Sequence, residues 1–299
     1  MTQENRSWLV VASDELRAEI DPLGAQLSTL RDREGRDLQW GGEPAVWGGR
    51  APVLFPIVGE LAGGRYRLGA SSFVLPRHGF ARRRLFSLRE ASAGSVSLRL
   101  SDDAETLAVY PFRFDLDLDF TLAGPTLTIS TTVRNRGAID LPASFGFHPA
   151  FRWPLPYGQE RGAHFLEFDA PEPAPVRRLD AQGLLTPEPQ PTPVVGRRLA
   201  LQDALFTRDV LIFDHLQSHS LTYGGDLGPR LRVDFPDTPL LGVWTKPAAE
   251  FICIEPWHGI ADPAGYGGDF RAKPAIFTVA PGATKTIAMA VNLLPDASR

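Results

Sequence analysis

The run Ile252-Cys253-Ile254-Glu255-Pro256-Trp257-His258-Gly259 closes an apolar stretch with a carboxylate, a proline, a tryptophan and a histidine. Ile252, Cys253 and Ile254 read as a buried strand. Pro256 has no N–H for a continuing ladder, which predicts that Glu255 stands at a strand end. A carboxylate framed in this way is a natural general base, because partial burial raises its proton affinity toward neutrality. An ion pair with an arginine at a turn is the alternative use of the same residue.

Two of the six histidines lie in segments built around them. Phe145-Gly146-Phe147-His148-Pro149-Ala150-Phe151 sets an imidazole among aromatics, where it can act as a proton donor or be a core histidine bonded to a carbonyl. Leu75-Pro76-Arg77-His78-Gly79-Phe80-Ala81-Arg82 presents imidazole and guanidinium groups together. That combination suits hydroxyls, carboxylates or phosphates, and it also suits a basic surface turn. Arg50, in the Gly/Pro frame Gly48-Gly49-Arg50-Ala51-Pro52 beside Trp47, adds the stacking face and polar fork that a sugar ring needs, or else a structural arginine.

Other chemistries find little support. Neither HExxH nor paired CxxC spacing is present, so no zinc site is expected, and there is no Gly-x-Ser-x-Gly elbow. The glycines at 41–42, 48–49 and 63–64 do not form a dinucleotide-binding turn. The lone Cys253 reads as packing. Asp115, Asp117 and Asp119 alternate along one strand and are expected on a solvated face rather than around a metal.

The elements that must hold these groups are strands. Phe112 to Leu122 alternates apolar and polar residues almost without fault. Ala123-Gly124-Pro125 and a second alternating run, Thr126 to Val133, follow, which predicts an antiparallel hairpin. With 28 glycines and 27 prolines in 299 residues, turns are frequent. Helical signal is confined to a short piece near Leu201 to Thr207. Pro171 to Val195 reads as a surface insertion between strands of a single domain spanning 1–299. The expected fold class is all-β, a large antiparallel β-sandwich.

A net charge of −4 gives no nucleic-acid signature. No apolar run reaches the ~20 residues of a membrane span. One cysteine and no secretory pattern at Met1–Arg6 fit a soluble cytoplasmic protein.

Taken in order, the segments 49–56, 75–82, 145–151 and 253–257 resemble the aldose 1-epimerase (galactose mutarotase-like) superfamily, most closely its LacX-type and hexose-6-phosphate mutarotase branch. The resemblance covers nearly the whole chain. It implies a β-supersandwich with a sugar in its cleft, His148 as acid and Glu255 as base. By the same resemblance His78, Arg50 and Arg82 are substrate-binding residues, as is Asp214 in Leu211-Ile212-Phe213-Asp214-His215. It implies no metal and no cofactor, a small-molecule sugar or sugar phosphate as the only partner, and a monomer or homodimer. Ala51-Pro52 replaces the Asn-Arg pair of the galactose-specific branch, so galactose preference does not carry over. Arg77, Arg82, Arg83 and Arg84 are either phosphate ligands or solvated charges. A non-catalytic sugar-binding protein on the same fold is the alternative.

Overall fold

The computed structural model describes residues 7–296. Nine strands form the larger sheet, in the order Arg198–Ala200, Phe165–Phe168, Ser220–Gly224, Arg230–Asp234, Thr284–Leu294, Thr126–Asn135, Phe114–Ala123, Ser95–Ser101, Ser87–Ala91. The smaller sheet runs Phe145–Gly146, Phe251–His258, Leu240–Trp244, Leu211–Phe213, and Ala150–Arg152 also pairs with Phe251–His258. Every pairing between these strands is antiparallel.

One apolar cluster is shared by both sheets. Leu116, Leu118, Phe120, Leu127, Ile129 and Val291 enter it from the larger, and Leu241, Val243, Ile252 and Ile254 from the smaller. This is a sandwich core, filled by every second residue of each strand. The predicted hairpin forms in full, with Phe114 to Ala123 paired residue by residue to Asn135 to Thr126.

Its polar face is less solvated than the alternation implies. Asp115 is buried, accepts from Ser101 Oγ at 2.6 Å and faces Arg136 at 3.2 Å, and Asp117 takes Arg99 at 2.6 Å. Cross-strand arginines and the edge of the next turn cover these carboxylates, which alternation alone does not reveal.

A further expectation changes. The piece near Leu201 is a 3-10 turn, Asp203–Phe206. The α-helix is instead Ala104–Val109, where Asp103 accepts the Thr106 N–H at 2.8 Å and Thr106 Oγ1 accepts the Asp103 N–H at 2.8 Å, a reciprocal cap. The proline-rich segment 171–195 is an insertion between the strands Phe165–Phe168 and Arg198–Ala200, exposed along much of its length but anchored to the sheet. Arg177 bridges Ile212, Leu185 bridges Pro263, and Val176, Arg178 and Leu185 are buried. The segment lies against the open side of the smaller sheet as a wall.

Candidate active site

Phe251–His258 does not stop at Glu255 as the proline predicts. It continues through Pro256, with Leu241 as cross-strand partner. The reason lies on its other edge. Phe145 and Gly146 pair with His258 and Trp257, while Ala150 and Phe151 pair with Cys253 and Ile252. Both stretches share one register, so Phe147, His148 and Pro149 fall opposite Pro256, Glu255 and Ile254.

In that gap Phe147 N–H donates to Pro256 O at 3.0 Å and Ile254 N–H to Pro149 O at 3.2 Å. The two return bonds would need N–H groups that Pro149 and Pro256 do not have. The ladder is thinned on both sides of one position, and at that position His148 faces Glu255 as a non-hydrogen-bonded pair, the closer kind. Nε2 of His148 lies 3.1 Å from Oε2 of Glu255.

Alternation along the strand fixes the side. Ile252 and Ile254 point into the sandwich core. Phe251, Cys253, Glu255 and Trp257 point the other way: Phe251 and Cys253 pack with Trp40, Ala150 and Ala249, while Glu255 and Trp257 line a cavity of about 250 Å³. Trp257 packs over two glycines, Gly146 and Gly242, where any added Cβ would fall 2.6 Å from its ring. Gly242 is the cross-strand partner of Glu255. The indole therefore lies flat against the sheet and walls one side of the carboxylate.

Trp47 covers His148 from above, with ring centroids 5.3 Å apart and planes 25° apart. Trp244 meets the imidazole edge-on at 5.9 Å. Trp47 reaches this position because Gly49 offers no side chain against its ring.

His78 enters from the turn Pro76–Gly79, where it and Gly79 both take positive φ, 66° and 72°. A side chain at 79 would strike Phe55 O, so glycine is required there. His78 N–H donates to Gly59 O at 2.9 Å, and Gly59 N–H donates to His78 Nδ1 at 3.1 Å. With Nδ1 an acceptor, the neutral ring carries its proton on Nε2. The Gly59 loop is anchored in turn by buried Asp262, which accepts Ala62 N–H at 2.9 Å and Lys273 Nζ at 2.5 Å.

Burial sets the electrostatics. Glu255 is 1 % exposed, and desolvation drives its proton affinity well above the ordinary carboxylate range, with Arg77 opposing. Desolvation also pulls His148 down to about 3, and it holds His78 well below the usual imidazole range with help from His148 and the arginines. Both members of the facing pair therefore favour neutral forms, with one proton between them.

Arg77 and Arg82 line the cavity with Asp209, Leu179, Val210 and Ile212. Arg77 lies 4.0 Å from Asp209. Arg82 donates to Arg77 O at 2.9 Å and keeps a buried Nε without a partner. Burial, then Arg83 and Arg77, lower its affinity to about 10.

Arg83 and Arg84 line a separate hollow with Asp103. Arg50 is outside the cavity lining. Its Nε donates to Gly41 O at 2.6 Å and its guanidinium lies over the Trp8 ring at 4.8 Å. Asp214 is outside it too, because the chain bends after Phe213 and the carboxylate turns to Arg177 at 3.8 Å. The carboxylate that does reach the cavity is Asp209, at a positive φ of 64° in the preceding turn. Thr207 and Arg208 before it read as a polar turn, and gave no signal for it.

The antiparallel sandwich and its cleft are those of a sugar-isomerase class, the galactose mutarotase-like proteins. Residues 7–262 match the aldose 1-epimerase family model, and the chain belongs to that family. It is 33% identical over 280 residues to the LacX proteins, plasmid and chromosomal, of Lactococcus lactis subsp. lactis, covering 90% of this chain and 93% of theirs. Among solved structures it is similar to a galactose mutarotase-like protein from Lactobacillus casei, with a TM-score of 0.89 and 28% identity over 96% of this chain and 100% of that one. A galactose mutarotase related enzyme from Lactobacillus acidophilus gives 0.88 and 27% over 96% and 97%.

Proposed function

We propose that the protein interconverts the α and β anomers of an aldohexose or hexose 6-phosphate, with His148 and Glu255 exchanging the protons. The observation that carries this reading is their 3.1 Å separation in a buried cleft. With the shared proton moved from Glu255 to His148, the carboxylate takes the proton of the anomeric hydroxyl while His148 gives its proton to the ring oxygen. Rotation about C1–C2 turns the aldehyde, and closure with the proton roles reversed gives the other anomer. The proton count of the pair is the same before and after. Arg77 opposes the desolvation of Glu255 and so favours the carboxylate as the sugar binds.

His78 Nε2–H and the Arg82 guanidinium supply hydrogen bonds to sugar oxygens, and Trp47 a stacking face. Arg50 and Asp214 act from outside the lining, Arg50 by fixing the loop that carries Trp47. Arg77 and Arg82 line the cavity with Asp209 as the one carboxyl besides Glu255, and this surplus of basic groups favours a phosphorylated sugar. The protein acts in the cytoplasm as a monomer or homodimer. Among the described residues no helix is long and apolar enough to cross a membrane.

The test is polarimetry on freshly dissolved α-D-glucose, α-D-galactose and glucose 6-phosphate. Acceleration toward anomeric equilibrium supports the reading. Sugar binding with no acceleration would favour a binding protein.

A further inference from the structure

Cys253 takes no part in the proton exchange, yet it shares a strand face with Glu255 and pairs across the sheet with Ala150, two residues from His148. One ring nitrogen of His148, Sγ of Cys253 and a carboxylate oxygen of Glu255 all lie within 4.8 Å of one another. All three side chains are buried, and Oε2 of Glu255 is a buried oxygen with no aligned hydrogen bond. We infer that these three groups form a binding site for a thiophilic divalent cation, zinc above all, which on binding closes the catalytic centre to sugar.

The donor set decides the class of ion. One nitrogen, one sulfur and one oxygen suit zinc at about 2.0–2.3 Å, and three protein ligands leave a fourth position open. Two of the three ligands, His148 and Glu255, also line the cavity. Tetrahedral bonds of those lengths put ligand atoms ~3.3–3.7 Å apart, so side-chain adjustments on the order of 1 Å gather the three. Magnesium and calcium demand oxygen ligands and do not fit a thiolate. Linear spacing conceals the site, because two ligands are alternate residues of one strand and the third stands on the opposed strand. Coordination displaces the thiol proton and the proton shared by the pair to water. The inhibitory consequence rests on the mutarotase reading, whereas the binding itself does not.

Titration of the intact protein with Co²⁺ is expected to produce a thiolate-to-cobalt charge-transfer band that Zn²⁺ abolishes and Mg²⁺ does not. Cys253→Ser should remove the band and weaken Zn²⁺ binding at least ~10-fold, with circular dichroism reporting the fold. Glu255→Gln should keep the band and also bind more weakly. Micromolar Zn²⁺ should slow mutarotation competitively with sugar, and a chelator should restore it. A missing charge-transfer band in the wild type, or equal Zn²⁺ affinity in Cys253→Ser, would overturn the site. A thiolate-dependent band in a protein without mutarotase activity would uphold the site and remove the proposed activity instead.

Discussion

His148 and Glu255 occupy directly opposed positions on neighbouring antiparallel strands, and Nε2 and Oε2 lie 3.1 Å apart. Pro149 and Pro256 each remove one ladder bond beside this pair, so the proline that looks like a strand terminator instead relaxes the sheet around the two facing side chains. The flanking ladders keep one register on both sides. Paired strands on both sides therefore fix where the two side chains stand, which suits the proposed proton exchange, a step that depends on sub-ångström placement.

The pH profile follows from the directions of the two shifts. Burial keeps His148 unprotonated down to about 3 and keeps a proton on Glu255 well above the usual range. The couple holds one proton throughout the interval between. From pH 7 down to pH 5, kcat/KM is expected to change by less than about twofold. An acid limb centred near the ordinary histidine value would contradict this, and initial-rate polarimetry across that interval measures it.

Stability should move with pH in Glu255→Gln. The folded protein holds the Glu255 proton more tightly than the unfolded chain does. This carboxyl therefore costs nothing below its unfolded value. As pH rises above that value the cost grows by about 1.4 kcal/mol per unit, until the folded value is reached. A glutamine carries no such cost. The melting temperature of the variant, relative to wild type, should rise by ~2–4 °C per pH unit above pH 5, as calorimetry at several pH values can show. A difference independent of pH would refute the assignment.

Gly242→Ala probes the wall beside Glu255. The new methyl would lie 2.6 Å from the Trp257 ring and press the indole toward the cavity it lines. Overpacking of this kind costs about 1–3 kcal/mol. Displacement of Trp257 should also lower kcat by at least ~10-fold. A variant with wild-type kcat would show that the indole does not position the carboxylate.

Arg82 distinguishes the two substrate classes. Its buried, unpartnered Nε and the surplus of guanidinium in the cavity favour an anionic ester. A charge-assisted hydrogen bond contributes ~1.5–3 kcal/mol. Arg82→Gln should therefore raise KM for glucose 6-phosphate at least ~10-fold more than it does for glucose, in parallel rate measurements. Equal effects on both sugars would place the phosphate elsewhere or exclude it.

Much of this was legible from the chain. Period-two alternation announced the Phe114–Ala123 hairpin, and the segments around His78, His148 and Glu255 stood out by composition. The fold brings those three together in one cavity with Arg82. What stayed hidden depends on long-range pairing. Pro256 read as an end because its N–H is missing, but whether that matters depends on what lies opposite, and there Phe147 N–H still donates to Pro256 O. Asp209 reaches the cavity through a left-handed turn, while Asp214, with the more promising apolar run before it, is turned aside by a bend. Arg50 had the right neighbours, yet Gly41 and Trp8 hold it. The segment 171–195 had the composition of a loop, and its role as a wall came from contacts with Ile212 and Pro263 that no local pattern encodes.

The most direct test of the acid–base couple is polarimetry of wild type beside Glu255→Gln and His148→Asn, with glucose, galactose and glucose 6-phosphate. Wild type should accelerate anomeric equilibration, and each variant should lose about 10²–10⁴-fold in rate while still binding sugar. Full activity in either variant would contradict proton exchange between these two residues.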